Sequence, residues 1–239
     1  MPAQPLSSVN PTAAVYHQPS PFDKAPHLVV QIARVIALGA EIEAHTGTLL
    51  VMMLGASAPP AAAMYQSLTS SGATAAAIEA AAETVLSKDE FAIFGIVRHF
   101  TQTVLKVRNL FCHATWGWSP DIPDAALFIE QSARMTLNLE IERSVRENLP
   151  KTGIKFDPRY IWVYDERAIQ EAIKQTERAL ALTVLLRLMV SSHSRGRGLK
   201  YSTLLSQPEI AEALAHLRER QKNNPSARPR SHRRRGPRK

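Results

Sequence analysis

A mainly α-helical bundle of four or more long helices, with a small antiparallel β insertion, is the fold class this sequence predicts. Three observations predict it. Apolar residues recur at three- and four-residue steps through most of the chain. Capping-box patterns precede two of those runs. Between about residues 125 and 164 the pattern changes to β-forming and alternating residues.

The elements follow in order. Residues 1–25 carry Pro2, Pro5, Pro11, Pro19 and Pro21 among Ser, Gln and Asn, and read as a disordered leader. From Pro26, the residues Ile32, Val35, Ile36, Ile42, Leu49 and Met53 form a helical stripe broken at Gly39, and Gly55 and Pro59 close it. A short helix is expected over Pro60 to Thr69, and an Ala-rich one over about Ala73 to Leu86. Ser87-Lys-Asp-Glu90 is a capping box that starts a helix at Lys88. Its buried stripe is Val97, Phe100, Val104, Val107 and Phe111, and Gly117 and Pro120 end it. Ala126–Glu130, Met135–Ile141 and Tyr160–Tyr164 read as a small antiparallel sheet of two or three strands inserted between helices. Asp165 caps the next helix, with Ile169, Ile173, Thr176, Leu180, Val184 and Leu188 on one face. A loop is expected over Ser191 to Gly198. Ser206-Gln-Pro-Glu209 is a second capping box, opening a last helix that runs to about Lys222. The organisation is thus a leader at 1–25, one helical domain at 26–222 with its β insertion at about 125–164, and a disordered basic tail at 223–239.

Charge is distributed unevenly. The chain has 239 residues and a formal net charge of +8. Residues 225–239 hold seven Lys/Arg and no Asp/Glu, which leaves 22 basic and 21 acidic residues over 1–224. The charge balance of the body therefore does not support a wholly basic nucleic-acid-binding body. Arg228, Arg230, Arg233, Arg234, Arg235, Arg238 and Lys239 would attract phosphates without regard to sequence and in a salt-dependent way. The single Cys112 excludes an intrachain disulfide framework and a multi-cysteine zinc site. No secretory signal and no membrane span are expected; Gly47 to Met64 is interrupted by Gly55 and Pro59-Pro60. A soluble cytoplasmic protein is the expectation.

One segment carries candidate chemistry: Lys106-Val-Arg-Asn-Leu-Phe-Cys-His-Ala-Thr-Trp-Gly117. Histidine exchanges protons near neutral pH, which makes His113 a candidate acid–base group. Arginine presents a fixed cation with a donor fork suited to phosphate. Asn109 can orient His113 or the phosphate by hydrogen bonding. On a continuous helix Asn109 and His113 point the same way, as do Gln102 and Lys106, giving a polar stripe. Arg108 and His113 then lie about 140° apart, so the helix distorts, the Arg arm wraps round, or two chains build the site. Cys112 beside His113 reads as a partly buried core thiol rather than a nucleophile. Glu41 and His45 share a helix face but are too few for a metal site. Glu43 can reach the motif across the bundle, with salt-bridge and solvent roles equally open. Trp116 and Trp118 read as packing and a helix stop, with base stacking as the alternative.

The Arg108-Asn109-x-x-x-His113 arrangement, in its helical context and before Trp116-Gly117, resembles the HEPN superfamily (higher eukaryotes and prokaryotes nucleotide-binding). Active members carry Arg and His separated by four to six residues, with a polar residue after the Arg. Arg108, Asn109 and His113 match that pattern at its shortest spacing. The resemblance covers roughly residues 26–118 and 165–190, and points to the prokaryotic ribonuclease or toxin-like branch. It implies a helical bundle and a metal-independent endoribonuclease that needs no cofactor. It implies a homodimer with both motifs facing one cleft, RNA as partner, and an antitoxin as a further partner if the protein is a toxin. Arg108 would clamp phosphate, His113 would move protons, Asn109 would orient, and Lys106 and the tail would hold RNA. The alternative is a non-catalytic HEPN-like module that binds RNA or docks a partner.

Overall fold

The computed structural model describes residues 3–17, 23–55, 58–68, 70–147, 156–191 and 198–223. The basic-tail residues Arg228 to Lys239 lie outside the described residues. Among the described residues the fold is mainly α, with nine helices and one four-stranded antiparallel sheet.

Helix α2 (Pro26–Leu54) forms the axis of the bundle. Pro26 sits in its first turn, where a missing N–H costs nothing. Gly55, at φ 61°, ends it in the left-handed conformation that glycine adopts without strain. The helix runs unbroken through Gly39, contrary to the sequence expectation, because packing of its buried face outweighs one glycine. Leu28, Ile32, Val35, Ile42, Leu49, Leu50 and Met53 are buried along it. By length and composition alone, at mean hydropathy 1.3, α2 is a candidate membrane span that the sequence reading passed over. Its buried residues meet α5 (Lys88–His113) and α7 (Glu166–Ser191).

Two cores flank this axis. At one end α3 (Ala58–Ser67), α4 (Ser71–Val85), α8 (Gly198–Leu205) and α9 (Pro208–Asn223) close over Leu50, Phe94, Leu186 and Met189. At the other end the sheet packs on Ile32, Phe111 and Ile169 through Ala126, Phe128 and Tyr164. The stripe read for α7 drifts. Ile169, Ile173 and Thr176 are buried, but the buried line then passes to Ala179, Leu182, Thr183 and Leu186. A strict four-residue step outruns the 3.6-residue turn, leaving Leu180, Val184 and Leu188 half-buried.

The sheet orders its strands β1 (Gln4–Pro5), β4 (Ile161–Asp165), β3 (Ala125–Ile129) and β2 (Thr115–Gly117). Phe128 stands opposite Trp116 on one side and Trp162 on the other. All five residues of β3 are buried because both faces are covered. Ala126 and Phe128 face the bundle, while Ala125, Leu127 and Ile129 meet Leu6, Ala133 and Phe156.

Several expectations are corrected. The segment Met135–Ile141 is not a strand but part of α6 (Gln131–Arg146). Its Met, Leu and Glu favour helix, and its buried residues Ala133, Leu137 and Ser144 share a helical face. The leader is not wholly disordered: Gln4 pairs with Val163, α1 (Leu6–Val9) follows, and Leu6 is 1% exposed. The helix carrying the motif ends at His113, earlier than expected, and Thr115-Trp116-Gly117 is a strand. At the second capping box, Ser206 donates to the Thr203 carbonyl and Glu209 is held by Arg178. The turn before α9 is α8, which no sequence signal announced.

Candidate functional site

Helix α5 carries the motif, and both of its ends are fixed by local chemistry. At its start Ser87 Oγ accepts from the Glu90 backbone N–H, and Ser87 N–H donates to Glu90 Oε2 at 2.9 Å, closing the box read from the sequence. At its end Phe111 is locked in an aromatic cluster, its ring centroid 4.7 Å from Phe128 and 4.8 Å from Tyr164. Trp116 Nε1 donates to the Phe111 carbonyl at 2.9 Å, satisfying an acceptor that the helix end leaves open. Burial pushes the Tyr164 phenol up to about 12, so this cluster is neutral across the ordinary pH range. The last turn of α5, with Asn109 and His113, is thereby held rigidly against the sheet.

Gln102, Lys106, Asn109 and His113 follow at steps of four, three and four residues and form one exposed stripe. Asn109 and His113 are therefore brought together, and Lys106 lies beside them. Arg108 is not. With α5 continuous to His113, Arg108 leaves the helix about 140° away. Its side chain is 14% exposed and crosses α2, where it pairs with the Glu43 carboxylate through Nη2. Gly39 makes the crossing feasible: a Cβ at residue 39 would stand 2.8 Å from Arg108 Cγ. Arg108 Nε is buried and has no hydrogen-bond partner among the described residues. Of the three arrangements open to the motif, helix distortion is absent here, and the Arg arm wraps toward α2 rather than toward His113.

Other sequence candidates fall as follows. Cys112 is exposed, not a core thiol, because Phe111 takes the buried position of that turn. Glu41 is exposed and His45 is half-buried. Trp118 stacks on Tyr16 with centroids 5.1 Å apart, and Trp116 packs on Phe128, so both tryptophans serve packing. Among the described residues no group of three or more His, Cys, Asp or Glu gathers to hold a metal ion.

One feature escaped the sequence reading altogether. A groove of about 860 Å³ opens between α2, α3, α4, α5 and α7. Glu43, Gln102, Lys106 and Asn109 line it together with the apolar Leu49, Ile78, Phe94 and Leu186. Thr101 and Thr183, both buried, also line it. Gly39 and Gly47, small residues inside a long helix, were the available signal of close approach. A Cβ at residue 47 would lie 2.9 Å from the Tyr65 ring that helps wall the groove.

No family model, curated protein or solved structure matches this chain. The site geometry is therefore the ground for a function.

Proposed function

We propose that this chain is a HEPN-like, metal-independent endoribonuclease of the toxin or defence-effector kind, acting as a homodimer on RNA in the cytoplasm. The observation that carries the reading is the exposed stripe of Lys106, Asn109 and His113 at the end of a helix rigidly anchored at both ends. In the reaction, His113 accepts the proton of a ribose 2′-hydroxyl. The 2′-oxygen bonds to the adjacent phosphorus, and the bond from phosphorus to the 5′-oxygen breaks. A second histidine, or the same one once protonated, returns a proton to the 5′-oxygen. The products are a 2′,3′-cyclic phosphate and a 5′-hydroxyl. Arg108 supplies a cation to the phosphoryl oxygens, and Asn109 orients the imidazole or the phosphate. Because Arg108 and His113 diverge within one chain, the reading requires Arg108 of one subunit to serve His113 of the other. An antitoxin that masks this surface is the partner a toxin would have. The basic tail, Arg228 to Lys239, adds sequence-independent affinity for RNA.

A second reading has its own observation. The pairing of Arg108 with Glu43 commits the arginine to the fold, which suits a non-catalytic module that binds RNA or docks a partner. Cleavage of a labelled RNA pool in chelator separates the two. The ribonuclease reading predicts cutting by the wild type, and a loss of at least 100-fold, on the order expected for a general acid–base group, in His113→Ala. RNA retention without cutting by the wild type favours the module.

A further inference from the structure

We propose that the groove beside Lys106 and Asn109 is a base-binding subsite, which takes one unpaired nucleobase of an RNA strand whose backbone runs along the α5 stripe toward His113. The proposal rests on the ribonuclease or RNA-binding reading above and names its substrate class, single-stranded RNA. Three features of the groove fit a nucleobase. Its apolar lining, including Ile78, Phe94 and Leu186, suits the faces of a planar ring. Its rim is graded in chemistry: Gln102 and Asn109 bring side-chain amides that can donate and accept along a base edge. Lys106 forms no ion pair among the described residues, and so leaves a cation for the phosphate attached to that base. Buried polar groups add a further hydrogen-bonding site. The Thr101 and Thr183 hydroxyls donate to the carbonyls of Val97 and Ala179 and stand 3.4 Å from each other, a buried polar pair with acceptor capacity left for an amino group. The volume, about 860 Å³, lies within the range of small-molecule sites. Asn109 joins the two regions, lining the groove and preceding His113 by one helical turn. A base stacked in a duplex cannot enter, so paired RNA is rejected.

Gly72 provides a clean block. It lines the groove, and a Cβ there meets nothing within 4 Å. Gly72→Phe therefore adds a bulky ring at a groove-lining position with no backbone clash at its Cβ, where glycine is the poorer helix residue. The full chain, as His113→Ala to prevent cutting, is titrated with cytidine and adenosine monophosphates while the methyl signals of Ile78 and Leu186 are followed by NMR. The expected result is a saturable shift of both methyls, abolished by Gly72→Phe, with the double variant's thermal midpoint no lower than that of His113→Ala. Unmoved methyls at millimolar nucleotide, or shifts that persist in Gly72→Phe, overturn the proposal. Displacement of nucleotide from the groove by a fatty acid that binds more tightly also overturns it, in favour of an amphiphile. These readouts contain no cleavage, so a groove that binds bases in a chain that never cuts RNA leaves the subsite standing and removes the ribonuclease reading alone.

Discussion

Arg108 shows how a single residue position is set by its neighbours. Its aliphatic stem lies where a side chain at residue 39 would be, so Gly39 and Arg108 function as one packing unit. Gly39→Ala forces the guanidinium from its pairing with Glu43 or pushes α2 from α5, at about 1–3 kcal/mol by analogy with overpacked cores. Gly95→Ala is the control: it is exposed on the motif helix with nothing within 4 Å of an added Cβ. There the change stabilises by about 0.5–1 kcal/mol, through the helix preference of alanine. Chemical denaturation distinguishes the two signs, and equal effects at both positions contradict the account. The motif residues themselves were legible, because Arg108, Asn109 and His113 are a local pattern. What Arg108 touches was not, because it depends on a glycine 69 positions away in the chain.

At the scale of elements, helices with caps read well and short elements did not. The capping box at Ser87 fixed the start of α5 to the residue. α6 was misread as a strand because Met135, Leu137, Leu139 and Ile141 alternate with polar residues. Only Leu137 of the four is buried, and the alternation does not reflect two sheet faces. The leader was misread because its composition carries no periodicity, whereas its order comes from long-range pairing with β4 and from one side chain, Leu6, inserted beneath the sheet. Leu6→Ala costs about 2–5 kcal/mol, as for a fully buried leucine, and a change under about 0.5 kcal/mol would show that the segment is dispensable. A pH dependence is expected of the same segment. His17 lies 2.9 Å from Arg134, and burial followed by the arginine's charge holds its imidazole below the ordinary value of 6.5. Its neutral form is the one the folded state favours. Docking of residues 3–17 is therefore strongest above pH 6.5 and weakens as the pH falls below it, and amide protection factors, corrected for the intrinsic pH dependence of exchange, compare it at pH 7.5 and 5.5.

The whole molecule places an anchored helix end between two cores. One core, at the α8 and α9 end, holds the groove's floor; the other, at the sheet, holds the last turn of α5. Apolar periodicity, capping boxes and a run of β-forming residues predict a bundle with a small β insertion, and that architecture is present. The groove was invisible in the sequence because its walls come from five separate helices, and no periodicity encodes the space between them. On the proposed ribonuclease reading, the divergence of Arg108 and His113 on an unbroken helix calls for a second subunit to supply the missing group. Mixing the inactive variants Arg108→Ala and His113→Ala tests this claim most directly, with RNA cleavage in chelator as the readout. Equal mixing makes half the dimers mixed, and each mixed dimer has one intact shared site, so the account predicts recovery of about a quarter of wild-type activity. No recovery above the separate variants, in a mixture shown to exchange subunits, would contradict it.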